Sequence, residues 1–173
     1  MDIYWLHLPT DIEEHLNEII ELYKEGKIKH IGVSNFTLEE CKRSKDILDK
    51  AGIALYGVQN HFSIICREWE KNGLLQWCKD NDVSFWGWAV LEEGLLVDPR
   101  IPKKSTMKFA FKRKVKKLTG LYKVMIKVAE LAEAARVVLT SGEIKRLEEA
   151  ADAANVKIMG ADIFRPFVLK SKK

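Results

Sequence analysis

Six side chains able to read a ligand recur through the first half of the chain: His7, Ser34, Asn35, Gln59, Asn60 and Trp88. They supply an imidazole, a hydroxyl, three carboxamides and an indole. An imidazole can donate or accept a hydrogen bond, a carboxamide can pair with another amide, and a flat indole can stack on a planar ring. Together these types suit a pocket for a planar, amide-bearing ligand. Each also has an ordinary structural use. His7 can be a satisfied structural histidine, and Ser34 with Asn35 can start a turn that caps the next helix. Gln59 can pair with backbone, and an indole such as Trp88 can be core.

Strand ends would gather them. Ile3 to Leu8 is a short apolar run closed by Pro9, with His7 at its end. Thr10 or Asp11 can cap the helix that follows, which carries Ile12, Leu16, Ile19, Ile20 and Tyr23 at helical spacing and ends at Gly26. Ile31 to Asn35 reads as a second strand, and Thr37 caps a second helix ending near Gly52. Ile53 to Gln59 reads as a third strand, Glu68 to Asn81 as a helix, and Val83 to Val90 as a fourth strand. Strand alternating with helix, joined by short connections, predicts parallel strands in right-handed βαβ units. Ligand sites in such folds collect at the C-terminal ends of the strands, where these side chains fall.

With 47% hydrophobic and 31% charged residues, the chain has the composition of a globular protein. Its 173 residues suffice for one core but fall short of the roughly 250 typical of a complete (β/α)8 barrel. No run approaches the roughly 18 uncharged residues of a membrane span, and MDIYWLHLP has no basic leader region, so a cytoplasmic location is expected. Cys41, Cys66 and Cys78 are widely spaced and form no Cys-x-x-Cys pair, which predicts reduced, buried thiols and no metal site.

The net charge of +4 hides an asymmetry. Eleven of the 29 basic residues, and no acidic one, lie between Pro99 and Lys127. After Gly94 the rhythm changes: Leu95 to Lys117 reads as a long loop, Lys112 to Ala135 as a helix, and Leu139 to Ala154 as a last helix with Thr140 and Glu143 at capping-box spacing. A partial barrel domain is expected over residues 1–155, and a poorly ordered basic tail over residues 156–173. Within Lys103 to Lys117, Phe109 and Phe111 interleave with cations. That pattern suits a solvated helix face, the attraction of an anionic dinucleotide, or nucleic acid.

Four ordered motifs carry a resemblance to the aldo-keto reductase family: DIYWLHLP with Asp2, His7 and Pro9; GKIKHIGVSNF; Val58, Gln59, Asn60 and Ser63; and Trp88, Leu91, Gly94 and Leu96, with Val90 where the family has proline. LTSGEIKRLEEAA also resembles the family's late helix. The resemblance implies an α/β fold, a partial TIM (β/α)8 barrel of about four parallel strands with flanking helices. It implies NADPH (or NADH) as cofactor and a small carbonyl compound as substrate. His7 would orient and polarise the carbonyl. Ser34, Asn35 and Gln59 would read the nicotinamide carboxamide, Trp88 would stack on its ring, and Leu91 and Gly94 would lie where the backbone approaches the pyrophosphate.

The family's catalytic tyrosine, lysine and aspartate lie in its first three strand–helix units, whereas this sequence enters at the fourth strand. VAELAEAARVVLTSGEI also runs almost directly between two helices, where the family has its last strand and the loop gripping the adenosine 2′-phosphate. The expectation is therefore an NAD(P)H-dependent oxidoreductase by resemblance, catalytically incomplete as the chain stands. Two other classes remain open: a non-catalytic interaction or regulatory protein on this scaffold, and anion or nucleic-acid binding through Lys103 to Lys117. Unpaired edges of a four-stranded sheet would favour self-association or a partner chain.

Overall fold

The computed structural model describes residues 1–92, 96, 118, 120–125 and 139–156. Its elements run β1 (Ile3–Leu6), α1 (Ile12–Lys24), β2 (His30–Ser34), α2 (Leu38–Lys50), β3 (Leu55–His61), α3 (Glu68–Lys71), α4 (Leu74–Asp80), β4 (Ser84–Trp88) and α5 (Ser141–Ala154). Residues 120–125 are also helical. The four strands lie in the order β1-β2-β3-β4, all parallel, so β1 and β4 form the edges among the described residues. This is the predicted α/β arrangement, with every crossover running through helix. The expected basic segment Lys103 to Lys117 and the tail beyond Val156 lie outside the described residues.

The described residues fall into two compact units. One comprises residues 1–62 and 67–88, and the other residues 63–66 with the described positions from Ala89 to Val156. The first unit holds the sheet. Ile31, Val33, Leu55 and Val58 face a layer of helices, where they are buried with Leu16 and Ile20 of α1, Leu48 of α2, and Leu74 and Cys78 of α4. Apolar residues at helical spacing on α1 and α2 meet a continuous apolar strand face, and burying each such side chain contributes about 1.5–3 kcal/mol. In the second unit Leu118, Leu121 and Tyr122 are buried with Leu147, Ala151 and Ala154 of α5.

The other face of the sheet is aromatic. Gly32 and Gly57 sit side by side across β2 and β3 because rings occupy the space their side chains would need. A Cβ on Gly32 would lie 2.4 Å from the Trp5 ring, and one on Gly57 would lie 2.9 Å from the Ser84 carbonyl oxygen of the adjacent strand. Trp5 meets Trp86 edge-to-face at 5.8 Å, and Trp86 remains 43% exposed.

Caps follow the sequence closely. Thr37 and Glu40 form a reciprocal capping box on α2: the Glu40 amide donates to Thr37 Oγ1 at 3.4 Å, and the Thr37 amide donates to Glu40 Oε2 at 2.8 Å. Thr140 and Glu143 repeat it on α5, and the hydrogen bonds from Thr140 hold the Glu143 carboxyl below its usual range. Asp11 occupies the cap position of α1 without a side-chain cap bond, and His15 Nδ1 donates to the Thr10 carbonyl at 2.8 Å just before it.

The helix expected over Glu68 to Asn81 is two helices. Gly73 adopts φ +88°, outside the helical region, and the Asn72 carboxamide oxygen accepts from the Leu74 amide at 3.1 Å to start α4. The break frees Trp69 on α3 to enter the core almost completely, at 1% exposure.

All three cysteines are buried thiols, as predicted. Burial pushes the Cys78 thiol up to about 11, and it also holds Cys41 well above the ordinary thiol range, with help from neighbouring Cys78 and Glu40. A thiol raised in the folded state keeps its proton where the unfolded chain has lost it. Stability therefore falls as pH rises past the ordinary thiol range of about 8.5. Native protein at pH 8 is expected to show no fast reaction of Cys41 or Cys78 with a disulfide reagent, both becoming reactive on unfolding. Rapid labelling of either in the folded state would contradict this burial.

Candidate active site

One asparagine ties together the C-terminal ends of all four strands. Asn35 follows β2 in a left-handed conformation, φ 63°, which asparagine tolerates better than most residues. Its Nδ2 donates to the His7 carbonyl beyond β1 at 3.1 Å and to Ser34 Oγ at 3.1 Å. Its Oδ1 accepts from the Trp88 indole N–H at the end of β4 at 3.1 Å. Its backbone amide donates to the Gln59 carbonyl of β3 at 3.0 Å. Asn35 is 2% exposed, so these bonds form away from water.

Ser34 is drawn into the same knot. Its hydroxyl donates to the Gln59 carbonyl at 2.8 Å while accepting from Asn35. The donors of Ser34 and Asn35 are thus spent on joining strands, and both residues are buried beneath the strand ends. Gln59 differs. Its carbonyl receives both bonds, but its half-buried side-chain amide has no hydrogen-bond partner among the described residues. It alone of the three offers both a donor and an acceptor, the complement of a carboxamide.

Trp88 is a fixed plate. Its indole N–H is held by Asn35, its carbonyl accepts from the Phe62 amide at 3.2 Å, and its ring stacks on His61 at 4.6 Å with 21° between planes. It stays half-buried, while His61 is 4% exposed.

Two further sequence candidates lie at the strand ends. Asn60 points away from the knot and clamps the Phe36 peptide, accepting from its amide at 3.1 Å and donating to its carbonyl at 2.8 Å. His7 joins the cluster through its carbonyl, and its exposed position borders a groove of about 280 Å³ shared with Tyr4, Leu6 and His15. In the second unit Leu91 is 55% exposed and its carbonyl accepts from the Leu96 amide at 3.2 Å. Gly94 lies outside the described residues.

The residue that sequence reasoning left without a role is His61. A signal for it was present: in a strand, Gln59 and His61 two positions apart share a face. The register then sets His61 directly opposite Trp88.

Four parallel strands with helical crossovers, and a polar knot at their C-terminal ends, define an α/β protein of the (β/α)8-barrel kind. The aldo/keto reductase family profile matches residues 1–158, and the chain belongs to that family. It is 33% identical over 99 residues to the aldo-keto reductase YhdN of Bacillus subtilis, covering 56% of this chain and 28% of that protein. It is also 33% identical over 91 residues to the NADPH-dependent alpha-keto amide reductase of Saccharomyces cerevisiae, covering 48% and 28%. The crystal structure of the thermostable aldo-keto reductase Tm1743 shares the fold, with a TM-score of 0.59 at 23% identity over 87% of this chain and 60% of that one. The chain spans 28% to 38% of the length of these and other curated relatives.

Proposed function

We propose that these residues form the nicotinamide-holding side of an NAD(P)H-dependent carbonyl oxidoreductase. The observation that carries this reading is the pairing of an unengaged carboxamide, Gln59, with an indole fixed in plane, Trp88. Family membership supports it, as does the yeast relative's designation as an NADPH-dependent alpha-keto amide reductase. A solved neighbour that shares the fold, with a TM-score of 0.54, is a complex with NADPH. The residues fit the cofactor. Gln59 would donate to and accept from the carboxamide, Ser34 and Asn35 would hold Gln59 and Trp88 in place from beneath, and Trp88 would carry the ring. His7 would stand nearest the substrate carbonyl. The family resemblance would assign Leu91 and Gly94 to the pyrophosphate. NAD(P)H supplies the hydride when bound, and the protein's share is orientation and exclusion of water.

Proton delivery is the weak half. Tyr4 and Tyr56 lie within strands and Tyr23 lies in α1, so no tyrosine of the sheet-bearing unit stands at the strand ends as an acid. We propose that the 173-residue chain by itself binds cofactor but reduces carbonyls little faster than background. A cytoplasmic setting belongs to the same reading, and no helix among the described residues is long and apolar enough to cross a membrane.

Calorimetric titration of NADPH and NADH into the 173-residue chain tests the proposal. Binding is expected, with Gln59→Leu and Trp88→Leu each raising Kd about tenfold, the equivalent of about 1.4 kcal/mol. Absence of binding, or affinity unmoved by both substitutions, would overturn it. Clear turnover by the chain alone would overturn the proposed incompleteness.

A further inference from the structure

We infer that His61 is a positioning residue, setting the plane in which Trp88 presents its ring. The inference rests on the proposed reading that Trp88 receives the nicotinamide. A hydrogen bond to the indole N–H fixes one edge of the ring, and Asn35 makes that bond at 3.1 Å. That bond locates one edge of the ring, whereas the tilt of the ring is set by what packs across its face. His61 packs there, at 4.6 Å between centroids and 21° between planes.

His61 is suited to act as a backstop because it is itself immobilised. It is 4% exposed, its carbonyl accepts from the buried Trp69 indole N–H at 2.8 Å, and it pairs in register with Trp88 across β3 and β4. The chain of support therefore runs from the helix-packed core, through Trp69, to His61, to the Trp88 plate. The consequence is geometric. A planar ring resting on Trp88 inherits its tilt, and misplacement of a reacting atom by about 1 Å can cost about a hundredfold in rate.

Three substitutions separate stacking from packing. His61→Leu fills the site without a flat face, His61→Phe restores the face, and His61→Ala removes both. The readouts are NADPH Kd by calorimetry, the near-ultraviolet circular dichroism of the indoles, and the thermal midpoint. His61→Leu is expected to raise Kd about fivefold to tenfold and to diminish the indole bands, with His61→Phe returning both to within about twofold of the original protein. Should His61→Ala fail to fold, the leucine and phenylalanine pair still decides. Leucine and phenylalanine variants of equal affinity would overturn the role of His61, even where the thermal midpoint falls. A Kd unmoved by Trp88→Leu would instead overturn the assignment of Trp88, and loss of binding by the original chain would overturn the proposed function.

Discussion

Asn35→Ala is expected to destabilise the sheet-bearing unit by about 4 kcal/mol, a large fraction of the roughly 5–15 kcal/mol that holds a typical domain folded. The substitution deletes the side-chain bonds to His7, Ser34 and Trp88 at once. Each such bond contributes about 1 kcal/mol net, and a buried partner left unsatisfied costs more. It also places alanine at φ 63°, a left-handed conformation that costs about 1 kcal/mol relative to glycine. Asn35→Gly should therefore be less destabilised than Asn35→Ala by about 1 kcal/mol, isolating the backbone contribution from the three bonds. Chemical denaturation monitored by far-ultraviolet circular dichroism checks both. An alanine variant within 1 kcal/mol of the original chain would show that the strand ends do not depend on this knot. Trp88 loses its edge contact in either variant, so NADPH affinity should fall with stability in both.

How far the site could be read in advance depended on which physical rule governed each residue. Position at strand ends is a consequence of the strand–helix rhythm, so the placement of Ser34, Asn35, Gln59 and Trp88 followed from the sequence and appears in the structure. Direction of side chains is set by strand phase, which one extra residue reverses. Ile31 pairs with Leu55, but Gly32 pairs with Gly57, leaving Tyr56 as an added residue on β3 beside the His30 ring at 4.6 Å. Strict alternation from Leu55 would send Gly57, Gln59 and His61 toward the helices. The bulge reverses them, so Val58 packs against the helices while Gln59 and His61 join the face that carries Trp86 and Trp88.

No composition rule signals a bulge at a tyrosine, and it hid which face Asn60 takes, whereas the two-residue spacing from Gln59 to His61 is unaffected by it. Hydrogen-bond saturation was hidden for a related reason. A sequence shows that Asn35 has two donors, but only the meeting of four strand ends shows that both are already used. The helix caps stand at the other extreme, because Thr37 with Glu40 and Thr140 with Glu143 are complete within four residues.

Trp69→Ala is expected to cost about 4–5 kcal/mol and to leave the first unit barely folded. Trp69 is the largest fully buried side chain, 1% exposed, and deleting a buried aromatic side chain costs about 3–5 kcal/mol through lost transfer energy and the cavity left behind. Its indole N–H is also the donor to the His61 carbonyl at 2.8 Å, and that carbonyl loses a buried partner. α3 spans only four residues, too few for helix propensity to hold it without the anchor. Trp69→Phe separates the two contributions. It keeps most of the apolar volume and loses the donor, so about 1–2 kcal/mol is expected. Urea unfolding followed by circular dichroism measures both variants. The phenylalanine variant should retain a folded sheet while the Trp88 indole band weakens, because His61 has lost one of the bonds that hold it in place. A phenylalanine variant as destabilised as the alanine variant would mean that the donor, and not the buried volume, secures α3 to the sheet.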